Sequence, residues 1–384
     1  MDVKQLYQLV NNATSEIVGE SALLKEDLSN LVDVGTAVFN ASAMEKYVEQ
    51  LVNHIGKVIF VNRAYRGGAP SVLMDGWEFG SVLEKVRAEM PQATENESWN
   101  LQDGTSYDTQ IFYQPVVRAK FFNSKITFEV DLSFTELQVK QSFSNAEQLN
   151  GFISMLYNEV EKSLTVKVDS LIMRTINNFI GETLYDEYSG SGYNLKSGVR
   201  AINLLYLYNT EYGTSLTKTT CLKNKDFIRY AVYTMSVIKD RIAKISTLYN
   251  MGGTAKFTPS DLLHVVLLSD FKRGADVYLQ SDTFHDEYTA LINADTIPYW
   301  QGSGTDYAIG SITKINITTK DGHDVEVDGI IGCMFDRDAL GVCNVDRRVT
   351  TSYNAKAEFY TNYYKFDASY FNDFDENFIV FFVQ

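Results

Sequence analysis

Apolar residues recur at Leu149, Phe152, Ile153, Leu156, Val160, Leu164, Val168, Leu171, Ile172, Ile176 and Phe179. Steps of three and four residues keep such side chains on one stripe of a helix. The run opens at SNAE (144–147), a capping box in which the Ser hydroxyl and the Glu carboxylate three residues later satisfy free N–H groups. Gly181 is the expected stop. About 36 residues at about 1.5 Å each make a rod of roughly 54 Å, whereas globular helices average about 11–12 residues. The steps of four from Phe152 to Val168 depart from a strict heptad, so the rod is predicted to lie along a sheet as a spine rather than in a coiled coil.

Upstream, residues 1–57 carry three short helical patterns, LYQLV, EDLSNLV and AMEKYVEQLVNHIG, joined by small polar residues and ending at Gly56. They suit an arm lying across something else. VIFVNRAY (58–65) alternates like a strand, and RGGAP (66–70) then breaks the chain. From Ser71 to Gln114 the pattern dissolves into isolated aromatics, a charged piece (LEKVRAEM), a polar run (ATENES) and the loop QDGTS. Long segments without a core of their own are usually functional or disordered. TQIFYQPVVRAKFF (109–122) and SKITFEVDL (124–132) return as strands. Residues 62–118 are therefore predicted to form a long extended hairpin whose aromatic side chains need another subunit to cover them. The contact candidates are Arg63, Arg66, Trp77, Phe79, Trp99 and Tyr107.

After the spine, SGSGYNLKSG is a flexible join, and residues 225–249 carry a second good helix pattern. LLHVVLLS (262–269) is a continuous apolar run suited to a buried strand, and 271–291 is helical in part. Residues 311–335 are strands, with Asp321-Gly322 as a hairpin signal. Residues 190–330 thus have the texture of an α+β domain inserted into a body. The remainder is antiparallel strand: RRVTTSY, the turn NAKA, the long EFYTNYYKFDASYF, the polar NDFDEN, and NFIVFFV. That final strand is expected to pair with the strands preceding the spine, making the body discontinuous in sequence.

Composition narrows the class. The 384 residues are 45% hydrophobic and 22% charged, ordinary for a globular protein with room for two or three domains. No apolar window is long enough to span a membrane, and the N-terminus lacks the pattern of a signal peptide. Three cysteines, Cys221, Cys333 and Cys343, are too scattered for a disulfide framework. A reducing cytoplasm follows, in which the sequons at Asn12, Asn96 and Asn316 are chance. The net charge of −15 argues against wrapping nucleic acid electrostatically. Aromatics reach 13%, with 24 Tyr and 23 Phe, while prolines number five. Tyrosine-rich surfaces are half apolar and half wet, as at subunit contacts.

Candidate chemistry is sparse. The P-loop, dinucleotide, nucleophile-elbow, HExxH and CxxC signatures are all missing. SGSG (189–192) has neither the spacing nor the preceding strand of a phosphate loop, and His264 sits in an apolar run like a core histidine. DFDENF (373–378) starts like a calcium loop, but Phe378 stands where Gly is needed and Gln384 where Glu is needed, so it is a turn. The stretch MFDRDALGVCNVDRR (334–348) brings Asp336 and Asp338 close to Cys333 and Cys343. Two carboxylates at that spacing share a strand face, which acid–base work could use. No nucleophile, second base or histidine pair accompanies them, and aspartates commonly close turns by bonding their own backbone. DRD is accordingly taken as a turn between IIGCMF and ALGVC.

An arm, a long hairpin, a strand, a spine helix, an inserted α+β domain and returning strands, in that order, resemble the major capsid proteins of tailed bacteriophages with the Hong Kong 97-type fold. At residue level LVDVGTAVFNASAMEKYVEQLVNHIGKVIF (31–60), AEMP (88–91) and the stretch 334–383 look like the capsid proteins of small short-tailed phages of Gram-positive hosts. The resemblance implies an α+β fold divided into an N-terminal arm (1–57), an E-loop hairpin (58–118), a P-domain with its spine helix (119–189), an inserted A-domain (190–335) and P-domain return strands (336–384). It implies a structural protein, not an enzyme, with no cofactor and no metal.

Its partners would be further copies of itself in hexamers and pentamers. The arm is too short to be a built-in scaffold, so a separate scaffolding protein and a portal protein are expected. The icosahedral virion shell would enclose double-stranded DNA without sequence-specific binding and assemble in the host bacterial cytoplasm. The charge of −15 per subunit would keep the inner wall from adhering to that DNA. Some relatives join an E-loop Lys to a P-domain Asn. Lys85 and Asn372 are present here, but no motif assigns either. The rival readings are an encapsulin-like nanocompartment shell and an α+β enzyme.

Overall fold

The computed structural model describes residues 11, 72–74, 82–95, 102–106, 110–135, 146–280, 294–300 and 312–384. The arm apart from Asn11, the strand pattern at 58–65 and all six contact candidates named above lie outside them. In chain order the strands are β1 (Leu73–Met74), β2 (Leu83–Ala88), β3 (Val117–Phe122), β4 (Lys125–Thr135), β5 (Ala201–Asn203), β6 (Leu263–Leu268), β7 (Asp295–Ile297), β8 (Ile315–Thr318), β9 (Asp324–Val327), β10 (Ile330–Asp336), β11 (Leu340–Asn354), β12 (Phe359–Asn372) and β13 (Phe378–Phe382). The helices are α1 (Ala146–Tyr188), α2 (Leu204–Tyr212), α3 (Lys225–Ile242) and α4 (Ser269–Gln280). This is the mixed α+β class that the pattern predicts.

The predicted spine is α1, a single helix of 43 residues. Val160, Leu164 and Val168 form a buried stripe, and from Ser170 to Leu184 burial extends almost all round the helix. The widening has a simple cause: this half of α1 packs against both larger sheets and against β8. Gly181 does not end the helix. A Cβ there would sit 2.4 Å from Ile317 Cδ1, so the glycine lets β8 press against the helix backbone. The helix stops about two turns later, after Tyr188, where Ser189 and Gly190 adopt left-handed φ of 53° and 79°.

The two larger sheets differ in how they are buried, and their sequences say so. One has the order β1-β11-β12-β4, antiparallel apart from the two-residue β1. Its strands alternate. Ile126, Phe128, Val130 and Leu132 pack with Tyr360, Tyr364 and Phe366 in the core. On the opposite face Asp367 accepts hydrogen bonds from Thr127 at 2.6 Å and Arg348 at 3.1 Å, with Lys125 3.7 Å away. The second sheet has the order β5-β13-β10-β6-β7. Every residue of β10 and β13 is buried, as continuous apolar runs require. Gly332 in β10 lies so close to β6 that a Cβ would meet the Val266 carbonyl oxygen at 2.6 Å.

Placement of β13 corrects one expectation. It pairs with β10 and β5, not with the strands preceding α1; β12 takes that place beside β4. The reason is periodicity. β12 alternates and suits a sheet with one wet face, whereas FIVFF has no polar face to offer and needs cover on both sides. The body is nevertheless discontinuous, because β4 precedes α1 and pairs with β12.

Other elements follow their local signals. Asn224 caps α3 by accepting a hydrogen bond from the Phe227 N–H at 2.9 Å. β8 and β9 pair across a loop in which Gly322 has φ +83°. His264 stacks on Phe335 with 5.7 Å between ring centroids, and burial lowers its pKa.

Candidate functional site

Within the segment predicted as a hairpin, β2 pairs antiparallel with β3, which runs on to Phe122, and the faces of this two-stranded sheet are inverted relative to an ordinary amphipathic strand. Lys85 and Arg87 of β2 and Lys120 of β3 turn inward and are half-buried. Val86 and Phe121 point outward, 61% and 65% exposed. Phe112 and Tyr113, in the chain leading into β3, are 83% and 82% exposed, and Val82, Met90, Ile111, Val116 and Val117 are exposed too. This many large apolar side chains exposed along one hairpin mark an interaction surface.

The inward cations meet the turn after β12. Asp373, whose side chain has no exposure, lies 3.1 Å from Arg87 Nη2, 3.2 Å from Lys120 Nζ and 3.4 Å from Lys85 Nζ. Arg87 also pairs with Glu376, and Lys120 with Asp375. Lys85 donates to the Asp338 carbonyl oxygen, and its ammonium stands 4.6 Å from the centre of the Phe371 ring. From another loop Lys256 reaches Glu376 at 3.3 Å. Burial alone would raise the pKa of Asp373, but Lys85, Lys120 and Arg87 together hold it below the ordinary carboxylate value. Burial, then Arg87, pushes Lys256 down to about 8, and burial lowers Lys85 as well.

Sequence position explains how the acidic turn is held. The Asp373 N–H donates to the Ala339 carbonyl at 2.7 Å, and Asp375 N–H reaches Asp373 Oδ1 at 3.3 Å. This ties the NDFDEN turn to the DRD turn. There Asp336 accepts from Thr258 Oγ1 at 2.6 Å and from the Asp338 N–H at 2.9 Å, while the Ala339 N–H bonds back to the Asp336 carbonyl. DRD is thus the turn between β10 and β11, and the Asp336 carboxylate is used up by it. Cys333 and Cys343 are buried in those strands, and burial pushes the Cys333 thiol up, away from reactivity.

The apolar patch and the acidic hub were missed as sites in the sequence, where Phe112, Tyr113 and Phe121 fell inside a strand pattern and NDFDEN inside a turn. One signal was available. Lys85 and Arg87 alternate with Val86, so one face of that strand had to be cationic, and a conspicuously acidic turn lay elsewhere in the chain. What covers the apolar face cannot be read from such a pattern.

The family model for Phi29-like phage major capsid proteins matches residues 8–382. Among solved structures, the chain is similar to a capsid structure of Staphylococcus phage Andhra, at 10% identity over 82% of this chain and 83% of that one, with a TM-score of 0.49. It is similar to a chain in the head fiber and inner core protein structure of native bacteriophage P68, at 9% identity, the same coverages and a TM-score of 0.49. The capsid structure of the cyanophage P-SCSP1u matches at 8% identity over 84% and 90%, with a TM-score of 0.47. No curated relative matches the chain. The family match spans nearly every residue, hairpin and hub included: the chain belongs to the Phi29-like phage major capsid proteins, the structural subunits of a phage shell.

Proposed function

We propose that copies of this subunit join as hexamers and pentamers into a closed icosahedral shell around double-stranded DNA, each hairpin laying its apolar outer face on a neighbouring copy. The observation that carries this reading is the exposed run of Val86, Phe112, Tyr113 and Phe121 on a hairpin whose cations, not its apolar residues, face its own body. Single contacts of this kind are weak, and a closed shell multiplies them. The Hong Kong 97-type parts are assigned as arm 1–57, E-loop 58–118, P-domain with spine 119–189, A-domain 190–335 and return strands 336–384, the last of which lies between β5 and β10 in the five-stranded sheet. A separate scaffolding protein and a portal would direct assembly in the host cytoplasm.

The role is structural rather than catalytic. The polar atoms of the hub and of the DRD turn are engaged with one another, which supports that reading. A nanocompartment shell is not favoured, because the matching family is a phage one. Negative-stain electron microscopy of the protein, alone and with its scaffolding partner, tests the proposal. Closed shells in either sample are expected, and small monodisperse particles in both would refute it.

A further inference from the structure

The ladder between β2 and β3 sets like charges opposite one another, Lys85 against Lys120 and Arg87 against Arg118. Like charges directly across an antiparallel pair are destabilising. An isolated two-stranded hairpin is marginal at best in water, and this register weakens it further. The anions that compensate come from the body: Asp373, Asp375 and Glu376 for Lys85, Arg87 and Lys120. Among the described residues, Arg118 is the hairpin cation met within the hairpin, by Glu89. At the base, one layer nearer the body, Phe122 packs on Phe371 with 5.3 Å between centroids, followed by the short link Asn123–Ser124 into β4. Apolar contact therefore holds the base, and charge holds the layers above it.

We propose that the hairpin is a lever, pivoting at Phe122–Phe371 and latched to the body by the carboxylate of Asp373, and that this latch maintains both the pose of the hairpin and its internal ladder. The charged groups around that carboxylate are Lys85, Arg87 and Lys120 from the hairpin, Lys256 from the loop before β6, Asp375 and Glu376 from its own turn, and Asp336 and Asp338 from the turn beside it. Asp373 is the carboxylate that Lys85, Arg87 and Lys120 share. Removing it leaves Lys85 without its carboxylate partner and the cations of two facing strands less compensated, with Glu376 and Asp375 still paired to Arg87 and Lys120. The lever swings free while both large sheets stay closed, since no apolar core residue belongs to the latch. The consequence for shell building rests on the capsid reading; the latch itself does not.

Hydrogen–deuterium exchange on the unassembled full-length subunit separates the two. Asp373→Asn is expected to speed exchange of the ladder amides in 83–88 and 117–122 by at least about tenfold, with 330–336 and 378–382 unchanged. A second variant, Arg87→Gln with Lys120→Gln, removes charge from the hairpin side, where the body's core is untouched. It relieves part of the cross-strand repulsion but takes two of the three cations off Asp373, and is expected to raise hairpin exchange alone, though less. Unchanged hairpin exchange in both variants would overturn the latch. So would an equal rise in hairpin and core in the second variant, since that would make the contacts part of the global fold. If the hairpin is released as expected and yet wild-type protein forms no shells, the latch stands and the assembly reading fails.

Discussion

The five-stranded sheet and the β2–β3 hairpin are built from strands of similar length and opposite logic. In β10 and β13 every side chain is buried, so both faces of the backbone are committed to one position in the core. In β2 and β3 the body-facing side chains beyond the Leu83–Phe122 pair at the base are cations, while Val86, Val117 and Phe121 stand in solvent. The sheet is held by hydrophobic burial, which is non-directional and carries no titratable group. The hairpin is held by a few ion pairs, which are directional and titratable. A subunit with both can alter how it meets its neighbours without risking its own fold.

Perturbing the sheet should give the largest effects. Phe378 is stacked on Phe179 at 4.1 Å and on Phe335 at 5.6 Å, so Phe378→Ala is expected to cost about 3–5 kcal/mol in urea unfolding. Gly329 has φ +85°, and a Cβ there would lie 2.2 Å from the Val383 carbonyl oxygen, a backbone atom that cannot turn aside. Gly329→Ala should destabilise by about 2–4 kcal/mol in the same assay, through strain rather than a cavity. A loss under about 1 kcal/mol in either would mean that β13 is not a committed core strand.

Acid should act on the hairpin first. The pKa of Asp373 is lowered in the folded state, so its contribution is fully present above the ordinary value of 3.8 and is lost as pH falls through the depressed one. Hairpin protection is expected to hold at pH 5 and to fail on going below the ordinary carboxylate range. Amide exchange across that range, corrected for its intrinsic pH dependence, checks the order of events. Base should act more gently. Lys256 is lowered from 10.5 to about 8, so the unfolded chain binds more protons between those values and stability rises with pH there. Lys256→Met should flatten that rise in thermal melts, apart from what Lys85 retains.

The smallest effect on the isolated subunit should come from the outer face. Phe112→Ser and Phe121→Ser remove exposed apolar groups and are expected to change unfolding by less than about 0.5 kcal/mol. Shell yield in electron micrographs should fall sharply. A subunit that loses stability while shells form normally would place the patch inside the protomer's own contacts.

Much of this was legible from periodicity. The spacing of three and four along α1 found the long helix, the continuous run in β6 found a buried strand, and the two aspartates of DRD marked a turn. Gly181 misled because a glycine that ends a helix and one that admits a neighbouring strand look alike until Ile317 is placed beside it. The partner of β13 was misassigned for a related reason, since pairing over long sequence distances leaves no local mark. The hub was hidden because alternation is normally read with the apolar side inward, and β2 reverses that. Arg63, Arg66, Trp77, Phe79, Trp99 and Tyr107 lie outside the described residues, and their part in contacts between copies is a proposal.

The pairing of β4 with β12 joins residues such as Thr127 and Asp367, which are 240 apart in sequence. A ribosome adding about 5–20 residues per second needs roughly 12–48 s to cover that distance. For that interval β4 has emerged without its partner, with Phe128 and Val130 open to any strand nearby. Subunits made in crowded polysomes are most exposed to wrong pairing then, and early chaperone engagement upstream of α1 would shorten the hazard more than help given to the finished chain.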